Sequence, residues 1–214
     1  MRRLLIPIGV VLLVAAASAQ SGPTSSATQG EPLRLVVAPE GNEARYRVNE
    51  QLVGVDLPSD AVGRTTTITG GLTLDETGTV MQDRSRIVID LTTLQSDVAM
   101  RDRYIQRRTL ETEAHPTAEF VPLRLTGLSF PLPTTGQFTL EIVGELTLHG
   151  VTQEVSWKVT AERVGNTISG AAQTRTTFGA WGLTIPRVMR VISVKDDILL
   201  EYDFRFLIVP PGGQ

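Results

Sequence analysis

The sequence predicts an all-β protein, an antiparallel sheet closed into a barrel, with one short α-helix. Three observations predict this class: apolar and polar residues alternate with period two in several segments, turn-forming residues separate those segments, and a single segment has helical character. Strands of ten or more residues leave long edges, and closing the sheet into a barrel removes them. A barrel of about eight strands can be filled by side chains or can hold one small ligand. A packed barrel or a sandwich gives the same alternation, so the pattern alone leaves both open.

The longest alternating segments predict the individual strands. At 138–148, apolar residues such as Leu140 and Ile142 alternate with polar ones. The same pattern recurs at 155–161, 198–208, 68–74 and 87–91. Gly70 and Gly144 fall on the apolar faces of their strands, which predicts open space inside the barrel at these two positions.

Turn signals between these segments predict hairpins, and one stretch predicts the helix. The turns fall at 75–78, 149–150 and 165–166, where Gly, Asp or Asn residues punctuate the alternation. The helix is predicted over 98–108, which lacks Gly and Pro, with Ser96 or Asp97 as its N-cap.

The first nineteen residues have the composition of an export signal. Arg2 and Arg3 form a positive start, 4–17 is almost entirely apolar, and Ala-Ser-Ala at 17–19 fits a cleavage site. The apolar run is shorter than the roughly 20 residues that a spanning helix needs. We therefore expect 1–19 to be a cleaved signal peptide and the mature protein to be periplasmic or secreted.

After the signal, the chain divides by composition. Residues 20–43 are rich in Ser, Gly, Pro, Thr and Gln, which predicts a flexible lead with one added edge strand at 33–38. We assign the barrel domain to 44–209 and a short tail to 210–214.

Composition excludes several functional classes. The chain has no Cys, so a disulfide scaffold, a thiolate nucleophile and an iron–sulfur cluster are ruled out. His115 and His149 are its only histidines, and we expect structural roles for both and no metal centre. A formal charge of −3 without a basic block disfavours nucleic acid as a partner. We find no catalytic motif, and predict neither enzymatic activity nor a cofactor.

Several motifs together resemble the YceI-like family of bacterial exported lipid-binding proteins. They are IVIDLTTLQS at 87–96, RD at 101–102, HPTAEF at 115–120, GELTLHGVT at 144–152 and RTTFG at 175–179. The motifs occur in the family's order, which makes the ensemble more specific than any one of them.

This resemblance, over about 62–208, implies a lipocalin-like antiparallel barrel that binds a long apolar lipid in its lumen. The implied ligand is an isoprenoid quinone or a prenyl phosphate, and the implied role is an exported carrier or storage protein. The alternative is a structural or interaction module of the cell envelope, with a filled barrel and no ligand. A transient contact with a membrane surface is also expected, and the oligomeric state is left open.

Apolar side chains on the inner faces of the predicted strands, with nearby aromatic residues, are the candidate lipid-binding residues. They are Ile68, Leu72, Ile87, Ile89, Phe120, Leu140, Ile142, Leu146, Trp157, Val159, Phe178, Trp181 and Phe204. The aromatic residues can either line a lumen or fill it. Arg101, Arg107 and Arg108 are candidates for binding a lipid headgroup or an anionic membrane surface. The alternative for these arginines is a solvated helix whose charges neighbouring acidic residues balance.

Overall fold

The computed structural model describes residues 31–54, 56–187 and 191–210, which form ten strands and one short helix. The strands are β1 Leu33–Val37, β2 Glu43–Leu52, β3 Ser59–Thr65, β4 Ile68–Leu74, β5 Arg86–Asp90, β6 Thr117–Thr126, β7 Thr135–Leu148, β8 Val151–Val164, β9 Thr167–Thr176 and β10 Val191–Val209. The helix α1 is Ala99–Tyr104. No helix in this described part of the chain has the length and apolar character needed to cross a bilayer.

The strands form a closed, eight-stranded antiparallel barrel, which confirms the predicted fold class. The sheet runs β1-β4-β5-β6-β7-β8-β9-β10, and β1 pairs back onto β10. The 19-residue strand β10 is long enough to pair with both β2 and β1 along one edge. Since β3 pairs with β2 and β4 pairs with β1, the segments β1–β2 and β3–β4 each act as one bent strand of the barrel.

A buried asparagine stabilises the bend between β1 and β2. The Asn42 side-chain amide donates to the Ala38 carbonyl at 2.8 Å, and its carbonyl oxygen accepts from the Tyr202 hydroxyl at 2.9 Å and the Arg205 backbone N–H at 3.0 Å. These bonds satisfy polar groups that the interrupted ladder would leave buried without partners.

The prediction of an edge strand at 33–38 is wrong, because β1 pairs with β4 on one side and β10 on the other. The barrel therefore starts at residue 33 and not at residue 44. A Ser-rich and Pro-rich sequence precedes this strand, and composition alone extended the lead too far. The predicted signal at 1–19 and all but the first residue of the predicted tail lie outside the described residues.

The helix occurs where it was predicted, but its N-cap differs. It begins at Ala99 and continues after Tyr104 as a π-helical turn at Ile105–Thr109. Val98 is the N-cap residue and makes no side-chain cap bond. Neither predicted cap, Ser96 or Asp97, occupies this position. Ser96 donates its backbone N–H to the Asp102 carboxylate at 2.8 Å, so an acidic residue inside the helix holds the preceding loop.

The two ends of the barrel differ in packing. At the closed end, where β4, β6 and β8 finish, Leu132 joins a tightly packed cluster that includes Leu74, Phe204 and Phe206. The open end carries the connections β2–β3, β5–β6, β7–β8 and β9–β10. Helix α1 is part of the β5–β6 connection. The closed end therefore buries the core, and the open end carries the candidate site.

The expectation that Gly70 and Gly144 widen the lumen is wrong. A Cβ atom on Gly70 would lie 2.0 Å from the Arg86 carbonyl oxygen, and one on Gly144 would lie 2.6 Å from the ring of Phe120. Gly70 also has φ +108°, a conformation that favours glycine. Both glycines therefore permit close packing of neighbouring groups, and neither one opens space.

Candidate functional site

A cavity of about 840 Å³ occupies the open end of the barrel. Inward-facing residues of the strands form its walls, among them Val48, Leu146 and Ile198. Tyr104 and Ile105, from α1 and the turn that follows it, line it as well. Its volume lies within the roughly 300–1,000 Å³ of small-molecule sites, and its mostly apolar walls are typical of them.

Five of the predicted lipid-binding residues line this cavity. They are Ile89, Leu146, Trp157, Phe178 and Trp181. The first three project from β5, β7 and β8, and the two aromatic residues come from the connection after β9.

The other predicted lining residues lie elsewhere in the interior. Ile68, Leu72, Val159 and Phe204 belong to the packed cluster of the closed end, and Ile87, Leu140 and Ile142 are half-buried against it. Phe120 is buried in the cluster around the cavity but is not one of the lining residues. Period-two alternation identifies the inner face of a strand, but it does not show where along the barrel the interior is filled.

The β9–β10 connection closes one wall of the cavity through a buried aromatic pair. Trp181 ends a 3₁₀ turn at Gly179–Trp181 and is 0% exposed, and Phe178 precedes that turn. The Trp181 indole N–H donates to the Thr176 hydroxyl at 2.9 Å. The Phe178 backbone N–H donates to the Asp196 carboxylate at 2.7 Å. These bonds anchor the connection to the ends of the two strands it joins.

One wall of the cavity is polar, and sequence reasoning found only part of it. Glu50 is buried on β2 and accepts a hydrogen bond from the Arg101 guanidinium of α1 at 2.8 Å. Tyr46 shares this wall, and burial raises its pKa to about 12, so the hydroxyl is neutral at pH 7. Glu50 lies on the same face of β2 as Ala44, Tyr46 and Val48. A carboxylate on an otherwise apolar face was the signal that could have identified it.

Of the three predicted headgroup arginines, only Arg101 lines the cavity. Its guanidinium contacts Glu50 and also Asp97, at 2.5 Å, so two carboxylates already compensate its charge. Arg107 and Arg108 are exposed and do not line the cavity. Arg101 is therefore salt-bridged, as the alternative to headgroup binding expected. The three arginines do not form one cationic site at the cavity.

Two buried polar atoms at the cavity have no hydrogen-bond partner among the described residues. They are the Thr109 hydroxyl oxygen and the Trp157 indole nitrogen. Thr109 is only 5% exposed. Buried polar groups are nearly always paired in folded proteins, and both atoms are covered by their neighbours, so a ligand group could reach them only if those neighbours moved.

His149 lies next to His115, the chain's other histidine. Its ring centroid lies 4.7 Å from that of His115, in an edge-to-face arrangement. The Glu111 carboxylate lies 3.7 Å from His149 Nε2. Glu111 and His115 are neighbours in the β5–β6 connection, and the barrel brings the distant His149 to them at the open end.

A closed antiparallel barrel with one packed end and one hollow, mostly apolar end has the architecture of barrels that hold small ligands. Comparison with family models identifies which one: the YceI-like domain matches residues 36–206. The chain therefore belongs to the YceI-like family, as its motifs indicated.

Known relatives agree with this assignment. UPF0312 proteins from Pseudomonas putida strains W619 and GB-1 are 38% and 37% identical to the chain over 81 residues. These matches cover 36% of the chain and 38% of each relative.

Solved structures share the fold at low sequence identity. A polyisoprenoid binding domain from Saccharophagus degradans, implicated in plant cell wall breakdown, has a TM-score of 0.61 at 12% identity and covers 83% of this chain and 99% of its own. BcnA of Burkholderia cenocepacia has a TM-score of 0.57 at 13% identity, and the match covers 77% of this chain and 95% of BcnA. The YceI protein of Campylobacter jejuni has a TM-score of 0.58 at 12% identity, and the match covers 75% of this chain and 91% of the Campylobacter protein. At these identities the similarity shows the fold alone.

Proposed function

We propose that the protein is a carrier or storage protein for a long apolar lipid of the isoprenoid type, and not an enzyme. The cavity of about 840 Å³ at the open end is the observation that supports this function best. Burial of apolar groups gives about 0.8 kcal/mol per CH₂, so each five-carbon unit contributes roughly 4 kcal/mol before the cost of ordering the chain. A binding site of this kind needs shape and apolar surface more than specific polar groups.

The polar wall favours a neutral headgroup, and hence an isoprenoid quinone over a prenyl phosphate. A phosphate needs uncompensated positive charge, whereas Glu50 and Asp97 already pair with Arg101. The unpaired polar groups beside the cavity, the Trp157 indole and the Thr109 hydroxyl, are neutral as well.

The alternative, a filled barrel that acts as an interaction module, fits only half of the interior. The closed end is packed as that alternative requires, with Phe204 and Phe206 in contact with their neighbours. The open end is hollow. The cavity thus favours the carrier over the module.

The exposed apolar residues support a transient contact with a membrane at the open end. Among the described residues, seven large apolar side chains are exposed, and five of them lie at this end. They are Val53, Leu57, Val98, Met100 and Ile192, which we call the apolar rim. A rim of this kind lets a lipid tail pass from bilayer to cavity without crossing water.

Charging the apolar rim is expected to slow lipid transfer. Vesicles containing a long-chain isoprenoid quinone serve as donors, and the quinone that appears in the soluble protein fraction is measured over time. Ile192 is 65% exposed at the rim, and Val164 is 67% exposed at the closed end, so Ile192→Glu and Val164→Glu are matched variants. We expect Ile192→Glu to slow transfer and Val164→Glu to leave it unchanged, because only the first places a charge at the membrane contact. Equal rates for both variants would contradict the membrane contact, and no transfer by the wild type would contradict the carrier function.

We also propose that the protein is exported, on the basis of the composition of residues 1–19. N-terminal sequencing of the protein recovered from the periplasm or medium is expected to begin at Gln20. Recovery of the chain with an intact Met1 in the cytoplasm would contradict this proposal.

A further inference from the structure

Three side chains of the kinds that coordinate metal ions lie close together at the open end of the barrel, outside the lining of the cavity. Glu111 follows the helical segment, His115 precedes β6, and His149 occupies the turn between β7 and β8. The potential ligand atoms of all three lie within 4.8 Å of one another. Among the described residues, this is the one group of three acidic or histidine side chains arranged in this way.

His149 is held with a free nitrogen directed at the other two residues. Its Nδ1 lies 3.4 Å from the Trp181 carbonyl oxygen. Because a carbonyl oxygen can only accept, Nδ1 is the donor in this contact, and a neutral ring then carries its lone pair on Nε2. Nε2 is buried without a hydrogen-bond partner and lies 3.7 Å from the Glu111 carboxylate. A histidine that donates from one ring nitrogen to a carbonyl and presents the other is arranged as metal-ligating histidines are.

The backbone at this cluster is strained where the ligands lie. Glu111 and His149 have φ values of 49° and 51°, and they are the two non-glycine residues of the described chain with positive φ. His149 and Gly150 form a two-residue hairpin turn, where Asn, Asp or Gly would be favoured at the first position. Gly150 also leaves room for His115, since a Cβ there would lie 3.1 Å from that ring. Such outliers concentrate at functional sites.

We propose that Glu111, His115 and His149 bind one divalent transition-metal ion, with Zn²⁺ as the reference ion. Two imidazoles and one carboxylate suit ions of this class, and three protein ligands leave at least one coordination position open. Zinc bonds of about 2.0–2.2 Å place tetrahedral ligands roughly 3.3 Å apart, so modest side-chain rotations bring these atoms into position. This inference is independent of the proposed lipid function.

The bound ion would connect the helical segment to the β7–β8 turn beside the cavity. Leu110 and Leu148 line the cavity and immediately precede Glu111 and His149 in sequence. The Trp181 carbonyl that orients His149 belongs to the same wall. The ion would therefore fix the β5–β6 connection relative to the β7–β8 turn.

Calorimetric titration of the EDTA-treated, dialysed protein with Zn²⁺ tests the site. We expect the wild type to take up a single equivalent, and His115→Ala, His149→Ala and Glu111→Gln each to weaken binding by about tenfold or more. Glu113→Gln is the matched control, because Glu113 is an exposed acidic residue near the site but outside the cluster. The Glu113→Gln variant should bind Zn²⁺ with the wild-type affinity.

Thermal unfolding with and without Zn²⁺ provides a second measurement that does not depend on the histidine variants folding well. At the same Zn²⁺ concentration, the midpoint should rise further for the wild type and for Glu113→Gln than for Glu111→Gln, whose altered side chain is exposed. The proposal is overturned if the wild type binds no Zn²⁺, or if Glu111→Gln binds and is stabilised as the wild type is.

Discussion

Replacing Trp181 with alanine is expected to lower the free energy of unfolding by about 3–5 kcal/mol, the usual cost of deleting a buried tryptophan. Trp181 is fully buried, and its side chain packs within the cluster around the cavity. The substitution also leaves the Thr176 hydroxyl without the indole donor that it now accepts from at 2.9 Å. This one residue therefore stabilises the wall formed by the β9–β10 connection.

Urea unfolding followed by circular dichroism measures this effect. Trp181→Phe is the control, because it keeps an aromatic ring in the wall and loses mainly volume and the indole N–H. We expect its free energy of unfolding to lie between that of the wild type and that of Trp181→Ala. If the free energy of unfolding of Trp181→Ala lay within about 1 kcal/mol of the wild-type value, the tightly packed wall would be contradicted.

Replacing Leu146 with tryptophan is expected to abolish most lipid uptake while the barrel still folds. Leu146 lies on the inner face of β7, is 4% exposed, and lines the cavity. The larger ring enters space that the lipid would occupy. Overpacking a filled core costs about 1–3 kcal/mol, and a ring that enters a cavity should cost less. The variant therefore separates loss of binding from loss of fold.

Glu145→Trp is the matched control, since Glu145 precedes Leu146 on the same strand and points to the exposed outer face. Bound quinone is extracted and quantified for both variants after equal exposure to loaded vesicles. The Glu145 variant should retain the wild-type amount, and the Leu146 variant should lose at least about tenfold, corresponding to a binding cost of about 1.4 kcal/mol. Equal loading of the two variants would mean that lipid does not occupy this cavity.

The sequence predicted the sheet well because burial on one face imposes a local pattern. The alternation at 138–148 and at 198–208 lies within β7 and β10, and the His149-Gly150 turn joins β7 to β8 as predicted. These features depend on neighbours in sequence, and period-two spacing reports them directly. The helix was found for the same reason, since its residues are consecutive good helix formers.

What the sequence did not predict depends on contacts between distant segments. The sequence predicted a closed barrel but not that β1 completes it by pairing with β10, because nothing in the Ser-rich stretch before β1 signals a partner so far along the chain. The hollow end could not be distinguished from the packed end, because Leu146 and Phe204 both lie on inner faces but in different clusters. The ion pair of Glu50 with Arg101 depends in the same way on how α1 lies against β2.

The central claim is that the open-end cavity holds an isoprenoid-type lipid, and mass spectrometry of the native wild-type protein tests it most directly. The protein is purified from its native host without detergent. The mass of the intact protein is measured under native conditions, and an organic extract of the same sample is analysed for lipids. We predict an adduct of one apolar lipid per chain, released into the extract as a neutral isoprenoid quinone. A protein that carries no lipid, and that takes up none from vesicles loaded with quinone, would contradict the account.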